Sequence, residues 1–144
     1  NGIAQANISG TYDLVTLLIG VNNQYRGRSV ENYEEEFGPI LQQAIDFAGG
    51  DVNRVIVISI PDWGVTPFAE GRDREQIAME IDAYNAVNKM ISEQMGVHYL
   101  DITPISREAV VSPELIASDG LHPSGEMYSR WVQSLTPIAK TILN

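Results

Sequence analysis

The sequence predicts an α/β fold, a three-layer α/β/α sandwich with a parallel sheet at its centre. Three short apolar runs rich in β-branched residues indicate strands that are covered on both faces. Longer segments with apolar residues at spacings of three and four indicate helices after these runs. Strands that alternate with helices favour a parallel sheet with right-handed crossovers. The predicted strands are residues 13–20, 54–60 and 97–102, and the predicted helices are residues 29–48, 73–95 and 124–143.

Capping residues suggest where the first long helix begins and ends. Either Ser29 or Asn32 can serve as its N-cap, and Gly49 follows its last apolar position. Pro39 lies inside the pattern, so we expect a kink there or a joint between two helices.

The remaining segments carry weaker patterns. Residues 7–10 are predicted to form a turn ahead of the first strand, and residues 103–118 to be irregular with one helical turn after Pro113. The final helix is expected to turn four side chains inward, those of Tyr128, Trp131, Val132 and Leu135.

Composition restricts the classes of function. The 144 residues show no repeat and no low-complexity linker, so residues 1–144 are predicted to form a single domain. A net charge of −10 argues against a nucleic-acid partner, and no apolar run is long enough to cross a bilayer. The absence of cysteine excludes disulfides and a cysteine nucleophile. No phosphate-binding glycine motif and no metal-ligand spacing is present, so we expect no cofactor and no metal.

A pair of residues near the C-terminus suggests acid–base chemistry. Asp119 precedes His122 by three residues in the segment S-D-G-L-H-P-S-G, just before the last predicted helix. A carboxylate that binds one imidazole nitrogen leaves the other nitrogen able to accept a proton from a nucleophile. The alternative is a helix entry that happens to contain a histidine.

Other candidate residues follow the first two predicted strands. Asn22 can donate to a developing oxyanion or cap a turn, and Asn23 can orient Asn22 or shape the same turn. Trp63 can line a substrate pocket or anchor a loop, while Asp62 is expected to shape that loop. His98 has no evident partner and is interpreted as structural. In parallel sheets, ligands bind beyond the carboxyl ends of the strands, where most of these residues gather.

These motifs resemble those of the SGNH hydrolases, also called GDSL esterases or lipases. The segment G-V-N-N at residues 20–23 is similar to the third sequence block of that family, and S-D-G-L-H-P at residues 118–123 is similar to the fifth. Asn23 departs from the aspartate that the family more often has. The resemblance implies a flavodoxin-like fold and hydrolysis of acyl or acetyl esters through an acyl-enzyme. It also implies a catalytic triad with His122 as base and Asp119 as its partner, and Asn22 in the oxyanion hole.

The resemblance covers only the C-terminal portion of the family's domain. The serine nucleophile is expected in an upstream block, together with one or more N-terminal strands, and we find no nucleophile in this chain. The chain alone is therefore expected to be inactive. The strand at residues 14–19 would lack a neighbour, so we expect an N-terminal fragment or a second copy to cover it.

Two other interpretations remain open. The chain can be a truncated or degenerate binding module that keeps the pocket, and less plausibly a binder of phosphate or flavin. The sequence begins at Asn1 without a signal-peptide pattern, so any targeting segment would lie upstream. A soluble protein is expected, and its compartment stays open, with secretion or a periplasmic location among the alternatives.

Overall fold

A computed structural model describes residues 2–6 and 8–144 of the chain. Its described part contains a parallel sheet of three strands in the order β1-β2-β3. The strands are β1 (Val15–Leu17), β2 (Val55–Ile58) and β3 (His98–Leu100). The helices are α1 (Gly2–Ala6), α2 (Val21–Tyr25), α3 (Val30–Phe47), α4 (Arg74–Met95), α5 (Thr103–Arg107) and α6 (Gly125–Leu143). The predicted α/β class with a parallel sheet is confirmed.

One face of the sheet is covered by α3 and α4. Val55 and Val57 of β2 point into this layer, where they pack with the apolar stripes of both helices. The rings of Tyr33 on α3 and Tyr84 on α4 stack with centroids 4.6 Å apart. Because the strand side chains alternate, Ile58 instead packs against the cluster on the other face.

The second face is covered by α5, α6 and the segment between them. Its buried residues include Ile102, Leu115, Met127 and Trp131. The prediction that Tyr128 and Val132 face inward is wrong, because these side chains are 53% and 54% exposed. Met127 and Trp131 are spaced four apart and define the buried stripe of α6, so the residues that directly follow them point about 100° away.

The long helices begin at capping side chains. Ser29, rather than Asn32, caps α3 by accepting from the Asn32 backbone N–H. Ser124 caps α6 in the same way. Of the two outcomes expected at Pro39, a kink or a joint between two helices, the joint is excluded because α3 runs through this residue without interruption. Gly38 precedes the proline and lacks the Cβ that would clash with its ring.

Several segments differ from the sequence prediction. The ladders of β1 to β3 are shorter than the apolar runs, and the short helix α2, which was not predicted, follows β1. Residues 103–118 are more regular than predicted, since α5 and two short 3-10 turns occupy most of them. The predicted turn at Pro113–Leu115 is present. The turn predicted at residues 7–10 includes Asn7, which lies outside the described residues.

Buried hydrogen bonds fix the point where the chain leaves β2. The Asn85 side chain on α4 accepts from the Ile60 N–H and donates to the Ile60 carbonyl. It also donates to the Thr103 hydroxyl, which joins this point to the end of β3. Hydrogen bonds to α4 and to the start of α5 therefore hold the loop after β2 in place at its first residues. In the described part of the chain, no helix has both the length and the apolar character required to cross a membrane.

Candidate active site

A cavity of about 360 Å³ lies beyond the carboxyl ends of the three strands. This volume is within the usual range of small-molecule sites. Its walls come from α2, from the loop after β2 and from the segments after β3, so each strand contributes one side. The lining residues are Val21, Asn22, Tyr25, Pro61, Asp62, Trp63, Thr66, Phe68, Ser106, Ile116, Leu121, His122, Pro123 and Met127.

The turn that holds Asp119 and His122 is organised by the aspartate itself. Asp119 Oδ1 accepts from the backbone N–H groups of Leu121 and His122, at 3.0 and 2.9 Å. Its other oxygen, Oδ2, lies 2.6 Å from His122 Nδ1. The turn is closed by an antiparallel bridge between Ile116 and Pro123. A single carboxylate therefore shapes the backbone and orients the imidazole.

This arrangement keeps the Asp119 carboxylate ionised. The backbone N–H groups of His122 and Leu121, followed by the His122 side chain, lower the pKa of Asp119 to about 2. The carboxylate is thus ionised at neutral pH, and neutral His122 carries its proton on Nδ1 so that it can donate to Asp119. Nε2 is left with its lone pair, and no side chain among the described residues bonds to it. The imidazole can therefore act as a proton acceptor at Nε2.

Asn22 reaches the same cavity from the first turn of α2. Gly20, just before this helix, has φ +122°, a conformation that residues with a Cβ rarely adopt. The close approach of Tyr33 and Ile60 also leaves no space for a Cβ at Gly20. Within residues 2–6 and 8–144, the Asn22 side chain makes no hydrogen bond, so its amide can donate to a ligand.

Asn23 points elsewhere. Its Nδ2 donates to Glu36 Oε2 at 2.7 Å, and Glu36 also pairs with Arg28. Asn23 does not line the cavity. Its hydrogen bond joins α2 to α3, which supports the helix that carries Asn22.

Trp63 is both buried and part of the cavity wall. It is 7% exposed, and its Nε1–H donates to Gln24 Oε1 at 2.7 Å. Gln24 in turn donates from Nε2 to Glu80 Oε2 on α4 at 2.7 Å. Sequence reasoning missed Gln24, whose partners lie 39 and 56 residues away in the chain. No local pattern could have indicated these contacts.

An ion pair between the buried Asp62 and the partly exposed Arg107 supports the loop after β2. Asp62 accepts from the Gly64 N–H and from Arg107 Nε, each at 2.8 Å. Its own backbone N–H donates to Ser106 Oγ. Asp62 therefore shapes the turn, as the sequence suggests. The ion pair with Arg107 on α5 could not be predicted from the sequence, because the two residues are 45 positions apart.

The hydroxyls that line the cavity already have partners. Ser106 Oγ donates to the Thr103 carbonyl at 2.6 Å, and Thr66 Oγ1 donates to the Trp63 carbonyl at 2.7 Å. Neither bonds to His122. In the part of the chain that the structure describes, no serine or threonine hydroxyl is hydrogen-bonded to the imidazole. His98 lies on β3 and is not a lining residue of this cavity.

Comparison with known proteins connects this geometry to a family. A search among curated proteins gives no match. A family model described as GDSL-like lipase/acylhydrolase matches residues 3–130, which include all three strands and the cavity residues Asn22 and His122. The matched segment is most of the chain, and the observed α/β architecture agrees with it. The chain therefore belongs to the GDSL-like lipase/acylhydrolase family.

Proposed function

We propose that this chain provides the base and the oxyanion donor of a serine-dependent ester hydrolase. The observation that carries the proposal is that Asn22 and His122, which follow the first and last strands, line one cavity. Asp119 orients the imidazole at 2.6 Å. Membership of a GDSL-like lipase/acylhydrolase family supports the same chemistry.

In the proposed reaction, His122 Nε2 takes the proton of a serine hydroxyl while the serine oxygen bonds to the ester carbonyl carbon. The carbonyl oxygen becomes an oxyanion, which accepts a hydrogen bond from Asn22 Nδ2. The carbon–oxygen bond to the alcohol then breaks, and the alcohol leaves with the proton from Nε2. Water repeats the sequence on the acyl-enzyme and releases the acid. Asp119 stays ionised and stabilises the imidazolium.

We further propose that the serine comes from a segment outside residues 1–144, in an N-terminal fragment that adds a strand next to β1. Two observations favour this source. His122 Nε2 has no hydroxyl partner among the described residues, and β1 pairs only with β2 there, so its outer edge has no partner strand. Leu18 beside this edge is 40% exposed. An added strand next to β1 would cover the edge and bring a new loop to the carboxyl end of the sheet.

The test is hydrolysis of a panel of p-nitrophenyl esters by the full-length protein. We expect His122→Ala to lower kcat by about 10⁴-fold or more, and Asn22→Ala by about 10²- to 10³-fold. His98→Ala is the matched control and should leave kcat unchanged, because this histidine does not line the cavity. Retention of most of the kcat in His122→Ala would refute the role of the base.

The nucleophile can be found directly. A fluorophosphonate probe should label one serine in the full-length protein, and mass spectrometry of the labelled peptide should place it outside residues 1–144. Labelling of Ser106 would contradict the proposed source. An unlabelled, inactive protein that still binds ester analogues would instead support a non-catalytic binding module.

A further inference from the structure

The interior of the cavity is suited to an apolar group. Most of its lining side chains are apolar, and three of its polar ones are already hydrogen-bonded within the protein, those of Asp62, Thr66 and Ser106. The Asn22 amide and His122 Nε2 are left for a ligand inside the cavity, and the Tyr25 hydroxyl, which accepts from Arg72, is left as a donor. A bound molecule therefore meets hydrogen-bonding groups at one end and apolar walls elsewhere.

One wall is a cluster of three aromatic rings. Trp63 lies 5.4 Å from Tyr25 and 6.0 Å from Phe68 between ring centroids, in edge-to-face arrangements. Tyr25 and Phe68 are 48% and 42% exposed, so this wall continues from the buried Trp63 to the surface. The cluster therefore marks the mouth of the cavity.

A guanidinium lies against this cluster. Arg72 Cζ is 5.3 to 5.4 Å from the centroids of all three rings, and its Nη2 donates to the Tyr25 hydroxyl at 3.3 Å. A cation–π contact requires no N–H donor, so the donors of Arg72 other than the one bonded to Tyr25 are left for other partners.

A second guanidinium contacts the loop that carries Trp63 and Phe68. Arg74 Nη2 donates to the carbonyl of Thr66, another lining residue, at 3.2 Å. Neither Arg72 nor Arg74 pairs with a carboxylate among the described residues, although the chain has 19 acidic and 9 basic residues. The neighbouring Asp73 carboxylate accepts from the Gln76 N–H as the cap of α4. By contrast, Arg54 before β2, Arg107 on α5 and Arg130 on α6 form ion pairs.

We infer that Arg72 and Arg74 form an anion subsite at the mouth of the apolar cavity. The ligand class is an amphiphile whose apolar chain lies inside the cavity and whose carboxylate or phosphate lies at the two guanidinium groups. Guanidinium groups commonly bind these anions. That this amphiphile is an ester rests on the proposed function, whereas the anion subsite does not. In a protein of net charge −10, which repels anions overall, such a local pair of positive charges favours anion binding at this mouth.

The test compares three probes of equal chain length: hexanoate, hexyl phosphate and 1-hexanol. The chain has two tryptophans, so each titration follows the indole N–H signal of Trp63 by NMR, with Trp131 as an internal reference outside the cavity lining. We expect at least one anionic probe to bind about three- to fivefold more tightly than 1-hexanol at low salt. This preference should disappear in Arg72→Gln, Arg74→Gln and 0.5 M NaCl. Comparison of hexanoate with hexyl phosphate identifies the preferred anion.

The control variant is Lys140→Gln on α6, which changes the net charge equally and should keep the preference. Equal affinity for the three probes would overturn the inference. An equal loss of affinity for all three probes in Arg72→Gln would also overturn it, because Arg72 would then act only by holding the rings in place. An unchanged Trp63 signal with every probe would overturn it as well. The proposed function is tested separately, because hydrolysis of neutral esters by the full-length protein does not depend on a preference for anions.

Discussion

Replacement of Gly20 by alanine tests how tightly the start of α2 is determined. Gly20 lies between β1 and α2, two residues before Asn22, with φ +122°. A Cβ at this position would lie 2.6 Å from Ile60 Cδ1 and 2.6 Å from the Tyr33 hydroxyl. The Tyr33 hydroxyl is held in turn, because it lies 2.7 Å from Asn88 Oδ1 and 3.0 Å from the Ile19 carbonyl. The neighbours therefore cannot move aside cheaply.

Two costs add in Gly20→Ala. A residue with a Cβ at this positive φ is strained by about 1–3 kcal/mol. Overpacking against Ile60 and Tyr33, which are 0% and 2% exposed, costs about another 1–3 kcal/mol. We expect the free energy of unfolding to fall by about 4 kcal/mol, a large part of the roughly 5–15 kcal/mol typical of a domain.

Urea denaturation at 25 °C measures this loss. With a slope near 2 kcal/mol per molar urea, the midpoint should fall by about 2 M, or the folding transition should be lost altogether. Gly27→Ala is the matched control, because Gly27 also has positive φ, at +66°, but no atom lies within 4 Å of the added Cβ. The control should lose only about 1 kcal/mol. A loss in Gly20→Ala no larger than in the control would refute the packing argument.

Two further predictions concern the groups around the cavity. The pKa of Asp119, followed by NMR at its carboxyl carbon, should be about 2 rather than 3.8, so the contribution of this group to stability is complete above about pH 4 and is lost as the pH falls towards 2. His122→Ala should keep much of this pKa shift, because backbone N–H groups are its largest cause. A return of the pKa to 3.8 in this variant would contradict that cause. Gln24→Leu should lower the free energy of unfolding by about 2 kcal/mol because it leaves the Trp63 Nε1–H buried without an acceptor. The control Gln76→Leu removes only an exposed hydrogen bond to Glu80 and should lower the free energy of unfolding by less than about 0.5 kcal/mol in the same urea titration. Equal losses in the two variants would argue against a stabilising role of the buried hydrogen bond.

The architecture was largely predictable because it depends on local patterns. β-branched runs indicate strands, apolar residues three and four apart indicate helices, and Ser29 and Ser124 show how side chains cap their ends. Prediction failed where the length of an element depends on the segment that it pairs with. The apolar run at residues 13–20 forms a ladder only at Val15–Leu17, because β2 is its one partner among the described residues.

The face that α6 buries shows the same limit. Its sequence places apolar residues on a broad arc, which includes Tyr128, Trp131 and Val132. Periodicity identifies this arc but not its centre. Packing against Ile102 and Leu115 centres the contact on Met127 and Trp131, and the far side of the arc stays exposed.

The sequence by itself determined the α/β class, the family motifs and the pairing of Asp119 with His122. Each depends on residues a few positions apart, whose hydrogen bonds form within one turn or one helix. Only the tertiary structure decided that Asn22 shares a cavity with His122, that Gln24 bonds to Trp63 and that Arg72 lies against three rings. These contacts join segments far apart in the chain, and they depend on how the whole core packs, which no short pattern of residues encodes.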